Sequence, residues 1–259
     1  MKKLKLILFI FILFTFYSCN ISSNLYKANS INTPLFKGKK EFQMAILIND
    51  QTAKDQKAYS VDLQSAYSFQ KNFGFMLNFQ NIYQNKPEAN YSVNDEFRFS
   101  YFEIAPGYFK NGIFEIYAGY GIGKTSFFSK NSIAEANFNK FFIQSTIGKN
   151  SKFIDFAFSV RASFFEFNKT NFKEKIGNED VLRESDEFYW FGNKLEIDGK
   201  TYPFIEPALT LKLGYKQLKI VGQLGISFSL KDINFDYNQK AYFNLGIHIN
   251  FLKNKNKIF

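Results

Sequence analysis

Four stretches hold residue types whose spacing could do chemistry, and each implies a different kind. Gly119-Tyr120-Gly121-Ile122-Gly123-Lys124-Thr125 ends as a phosphate-binding loop ends, with a lysine to meet phosphate oxygens and a hydroxyl to meet magnesium. That loop also requires a glycine where Ala118 stands and a helix after it, and the sequence supplies neither. His248, the only histidine, could move protons, but only with acidic or hydroxyl partners at a rim that substrate reaches. The single cysteine, Cys19, cannot form an internal disulfide, so its thiol is free for covalent modification. Between Phe167 and Thr201 lie Glu174, Glu179, Asp180, Glu184, Asp186 and Glu187, then Phe188-Tyr189-Trp190-Phe191. Such a run suits surface recognition or an aromatic belt at a bilayer edge.

The elements that must carry these groups are strands. In Tyr101 to Lys124, Phe102, Ile104, Pro106 and Tyr108 share one face and Glu103, Ala105 and Gly107 the other. After Lys110-Asn111-Gly112 the pattern resumes, with Phe114, Ile116, Ala118, Tyr120 and Ile122 against Glu115, Tyr117, Gly119, Gly121 and Gly123. Strict period two makes a strand with two unlike faces, and Asn-Gly between two such runs makes a hairpin. Upstream, Phe97 and Phe99 fall on the parity of Glu103, which requires a bulge or a change of environment there.

The same alternation predicts strands at 42–49, 61–69, 73–80, 141–148, 154–164, 205–215, 218–228 and 243–251, making ten with the hairpin. The links Gln70-Asn72, Lys110-Gly112, Lys149-Lys152 and Lys216-Gln217 are tight, and the links between them are longer. Alternating short and long links gather every long loop at one end of an up-and-down barrel, as in membrane barrels with short periplasmic turns and long external loops. The expected fold class is all-β, a ten-stranded antiparallel up-and-down transmembrane β-barrel over residues 41–252.

A soluble barrel with its apolar face inward would give the same periodicity, so orientation rests on glycine. Gly74, Gly107, Gly119, Gly121, Gly123, Gly148, Gly214, Gly225 and Gly246 sit on the polar parity, and Gly222 on the apolar one. Glycine on a wet outer wall weakens a strand for little gain, whereas in a narrow lumen it leaves room for long polar chains opposite. The polar set carries both signs, Asp62, Glu103, Glu115, Asp155 and Glu206 against Arg161, Lys212 and Lys219. From these comes an expected lumen charge network of Glu103, Glu115, Asp155, Arg161, Glu206 and Lys212. Phe, Tyr and Leu then face hydrocarbon.

The first residues, with Lys2, Lys3 and Lys5 before an apolar run from Leu6 to Tyr17, suit a secretory signal peptide over 1–18, since the run is too short to span a bilayer. Residues 19–40 are polar after Cys19 and read as a tether, and 253–259 as a basic tail. The formal net charge is +10, but no basic motif clusters and the signal leads out of the cytoplasm, so nucleic acid is not an expected partner. The lysines of the tight turns and tail, Lys71, Lys110, Lys149, Lys152, Lys216, Lys253, Lys255 and Lys257, form a collar suited to anionic headgroups.

Phe16-Tyr17-Ser18-Cys19 resembles the lipobox of bacterial lipoprotein signal peptides, with Phe16 where leucine is commoner. The resemblance implies covalent lipid at Cys19, and Asn20 lacks the acidic character that retains such proteins in the inner membrane. The chain from there on is similar to the small outer-membrane β-barrels of Gram-negative bacteria, of the kind made as lipoproteins. Asn244 to Phe251, NLGIHINF, resembles the aromatic-ended last strand read by the barrel-assembly machinery, although Leu252 to Phe259 follow it. The implied location is the outer membrane, and the implied partners are outer-membrane lipid and that machinery, with no cofactor beyond the lipid and no metal.

The expected function is non-enzymatic, a structural or surface-interaction role in the cell envelope. A small passive pore is the first alternative. The second is a barrel enzyme on lipid or peptide, which would need a histidine with acidic or serine partners at the outer rim. His248 lies near the opposite end of its strand.

Overall fold

The computed structural model describes residues 27–50, 57–87, 94–128, 132–175, 182–184, 189–190, 193–194, 199–215, 217–231 and 241–252. Ten long strands form one antiparallel ring: β1 (Glu41–Asp50), β2 (Lys57–Ser68), β3 (Phe73–Pro87), β4 (Asn94–Lys110), β5 (Phe114–Phe128), β6 (Ser132–Lys149), β7 (Ile154–Lys175), β8 (Thr201–Tyr215), β9 (Leu218–Ile226) and β10 (Ala241–Leu252). Each pairs with its neighbours in sequence, and β1 closes the ring on β10 from Glu41 opposite Leu252 to Ile48 opposite Leu245. Closure removes every sheet edge, the condition for a β-structure in hydrocarbon. Phe228–Ser229 prolongs β9 along β8, and short pieces at Leu182–Glu184, Tyr189–Trp190 and Asn193–Lys194 fall in the long link after β7.

The two faces divide as expected. Ile48 and Ile220 on the apolar parity are 59% and 66% exposed, while Glu103 and Arg161 on the polar parity are 0% exposed. The tight turn after β4 has positive φ at both Asn111 (48°) and Gly112 (67°), with Ile113 N–H bonded to Lys110 O at 3.0 Å. That backbone matches the twist of the strands it joins.

At the long-loop end, β3 to β8 run beyond their expected bounds, so the link expected to start at Phe167 starts after Lys175. Phe97 and Phe99 keep a regular register with both β3 and β5. Of the two expected explanations, the change of environment holds: both rings point into the lumen with Tyr101 and are buried. A register shift does occur between Ala136 and Asn137 on β6, which face Thr170 and Asn168 and leave Lys169 of β7, at φ 51°, as the extra residue.

Two expectations need correction. The reading of 19–40 as a tether outside the barrel fails over 27–36. Every one of these residues is buried, Ile31 to 1% and Leu35 and Phe36 to 0% exposure, and their partners are lumen-facing groups of the strands. A polar segment gains such burial only where its backbone groups find partners, and the lumen supplies them. Leu35 there adopts φ 50°, a costly conformation for leucine that persists because its surroundings fix it.

The second correction concerns glycine. Most of those on the polar parity are buried or half-buried, yet what fills the space over Gly107, Gly119, Gly121, Gly123 and Gly225 is aromatic rather than long and polar. A Cβ on Gly119, Gly121 or Gly123 would collide with Phe142, Tyr101 and Phe138 respectively. Rings from neighbouring strands occupy the space over the glycines of β5.

Candidate functional site: the filled lumen

The lumen is built in three tiers, because the inward-facing residue types change along the strands. Nearest the tight turns, Phe36 of the inner segment sits with Met76, Ala105, Phe109, Tyr117 and Phe142. Its ring lies 5.1 Å from that of Phe109. Phe36 N–H donates to Glu115 Oε1 at 2.9 Å, and Gly112 N–H donates to Phe36 O at 2.6 Å. The tight turn after β4 therefore holds the inner segment as well as the hairpin.

In the middle tier the strands read the segment's backbone. Gln223 takes both sides of one peptide residue, accepting from Ile31 N–H and donating to Ile31 O, each at 2.7 Å. Asp62 accepts from Ser30 N–H at 2.7 Å, and Gln64 donates to Ser30 O at 2.9 Å. Gln144 donates to Asn32 O at 2.8 Å and Lys212 to Thr33 O at 2.7 Å. One side chain is gripped as firmly: Asn29 Oδ1 accepts from Lys140 at 3.0 Å and Arg161 at 2.9 Å, while its Nδ2 donates to Glu103 at 3.0 Å.

Around Asn29 lies a group of wholly buried charges. Arg161 reaches Glu103 at 3.2 Å, Lys140 reaches Glu206 at 3.6 Å, and Arg161 also donates to Gln144 at 2.8 Å and rests over the Phe142 ring at 4.3 Å. Tyr101 O–H donates to Glu103 Oε2 at 2.5 Å. A buried ion is tolerable only when paired and otherwise hydrogen-bonded, and the guanidinium's fixed fork serves several acceptors at once.

Toward the long loops the lumen turns aromatic. Phe99 and Phe138 stack at 5.0 Å, Phe138 and Phe165 meet at 4.4 Å, Phe165 and Phe167 at 4.8 Å, and Phe167 and Tyr202 at 6.2 Å. Ala28 packs into this cluster. The segment thus runs from the tight-turn end at Phe36 up to the aromatic tier at Ala28.

The six residues expected to form a charge network all face the lumen and are buried; Glu103, Arg161 and Glu206 gather about Asn29 with Lys140 among them. Glu103 and Arg161 pair directly across the lumen. Glu206 takes Lys140 and Ser163, the latter at 2.8 Å. Asp155 takes Lys219 at 2.6 Å near the tight turns. Glu115 and Lys212 bond to the segment instead. Lys140 and Asn29 were missed. Lys140 shares the parity of Gln144 and was legible from it; Asn29 gave no signal, since nothing local links it to β4, β6 or β7.

His248 lies in the lumen toward the tight turns, its Nε2 3.0 Å from Gln43 Oε1. It lines a polar hollow of about 340 Å³ with Lys37, Glu41, Asp155, Lys219 and Asn250. Lys124 and Thr125 lie within β5, not in a phosphate loop. Cys19, most of the acidic run after β7 and the tail from Lys253 lie outside the described residues; Glu184 pairs with Lys173 in register. Among the described residues no group of three or more His, Cys, Asp or Glu is placed to hold a metal ion.

No family model and no curated protein sequence matches the chain. Among solved structures it is similar to the translocator domain of the autotransporter NalP from Neisseria meningitidis, at 10% identity and a TM-score of 0.48, over 83% of this chain and 89% of that one. It is also similar to BauA, the ferric preacinetobactin receptor from Acinetobacter baumannii, at 10% identity and a TM-score of 0.29. That match covers 81% of this chain and 45% of the receptor.

Proposed function

We propose that the chain is an outer-membrane β-barrel lipoprotein of a Gram-negative envelope, acting without catalysis as a sealed scaffold that presents its long-loop rim for surface contacts. The observation that carries this reading is the burial of residues 27–36 within the lumen. A barrel whose interior is occupied by its own chain and by buried ion pairs is poorly suited to passive transport, whereas a rigid closed wall suits display. His248 supports the non-enzymatic part by its position, bonded to Gln43 away from the loop rim.

Orientation follows the rule that short turns face the periplasm. Exposed Lys37, Lys39, Lys40, Lys71, Lys110, Lys149 and Lys152 then form a basic collar toward inner-leaflet headgroups. The segment points from that end to the other, with Phe36 at the tight turns and Ala28 in the aromatic tier. Cys19, eight residues before Lys27, carries the proposed acyl chains. Planar-bilayer recording of the purified, refolded full chain tests the sealed state. Silent membranes are expected, and stable single-channel steps from the intact protein would favour the pore instead.

A further inference from the structure

We propose that the lumen is a binding site for an extended polypeptide segment, filled in cis by residues 27–36, and that another strand of the same chemistry can take their place. This rests on the sealed state described above.

The contacts have the character of ligand recognition. Along Ser30 to Thr33 the strands address peptide groups: Asp62 and Gln223 accept backbone N–H, and Gln64, Gln223, Gln144 and Lys212 donate to backbone carbonyls. Such contacts belong to any extended chain and give affinity without demanding a sequence, as in peptide recognition by strand addition. Selectivity sits at the two ends of the run. At one, the Asn29 amide is matched by two cations and a carboxylate. At the other, Phe36 fills a closed pocket beneath the Gly112 turn. The ligand is therefore an uncharged stretch with an amide side chain near one end, an aromatic ring seven positions on and a left-handed residue just before that ring.

The segment's continuity with the wall is slight. It joins β1 through Lys37 to Lys40, a run at the tight-turn mouth in which Lys37, Lys39 and Lys40 are exposed. Once the segment is withdrawn, the middle tier is lined by Asp62, Gln64, Gln144, Lys212 and Gln223, the polar surface of an aqueous path rather than of a packed core. The lower and middle tiers were built around a strand, and the hydrogen bonds that its peptide groups leave open would be met again by another strand.

The test cuts the linker in the folded full chain. A recognition sequence for a site-specific protease is inserted between Lys39 and Lys40, and the refolded protein is cleaved, washed in mild urea and offered a fluorescent synthetic peptide of residues 27–37. The uncut protein should be silent in planar bilayers and take up no label. The cut and washed protein should show conductance steps that the peptide closes, with the label migrating on the unheated barrel band. A peptide carrying Asn29→Ala and Phe36→Ala should bind roughly tenfold or more weakly, since it lacks both end contacts. Conductance from the uncut protein would overturn the sealed state itself. A silent uncut protein whose cut form neither conducts nor takes up peptide, or which takes up both peptides equally, would overturn the binding site alone.

Discussion

At the scale of single residues, Arg161 does more than any other side chain to make the interior consistent. It neutralises Glu103, supports Gln144, lies on the Phe142 ring and fixes Asn29 of the inner segment. Replacing it with methionine keeps most of the volume and leaves a buried carboxylate short of its partner. That should cost about 3 to 5 kcal/mol, read as a lower urea midpoint for the refolded barrel. Adding Glu103→Gln to the same chain should recover a large part of the loss, because the second substitution removes the charge that the first one stranded. The ionic residues themselves were legible in the sequence from parity alone: Glu103, Glu115, Asp155, Arg161, Glu206 and Lys212 all had to share a face. Their pairing was not legible. Which carboxylate meets which cation depends on the shear of the ring and on Asn29, whose bonds run to residues 74, 111 and 132 positions away.

At the scale of elements, strands were easy to read and the inner segment was not, for one reason. A strand in this wall turns an exposed apolar side outward and a polar side to a packed interior, so its sequence must alternate. A segment inside the lumen is surrounded by similar partners on every side and has no period to display. Residues 27–36 therefore read as the solvated tether that their polar, aperiodic composition would suit equally well. The inward rows held a sign of it: Gln64, Asn78, Gln144 and Gln223 are buried amides that each need partners, and each of them bonds to the segment. Strand packing makes its own prediction through glycine. Gly123→Ala would place a Cβ against Phe138 and the Ser100 carbonyl, whereas at outward-facing Gly222 the nearest atom, of Leu245, would be 3.6 Å away. Overpacking at the first should cost about 1 to 3 kcal/mol. The second should stay within about 0.5 kcal/mol. The temperature at which each variant loses its fast-migrating, unheated gel band separates the two.

At the scale of the whole molecule, a closed wall of ten strands turns phenylalanine, leucine and isoleucine outward and holds part of its own chain inside. Long β4 to β7 carry the aromatic tier toward the long loops, and short turns carry lysines at the other end. Fold, orientation and sealing thus depend on one arrangement, a lumen filled from within. Its most direct test is thiol accessibility in a Cys19→Ser background, comparing Ser30→Cys in the segment with Lys39→Cys in the exposed linker. In the folded, unheated barrel Lys39→Cys should react at once with a water-soluble maleimide, while Ser30→Cys stays unlabelled until the protein is heated. Equal labelling of both positions in the folded protein would contradict the account.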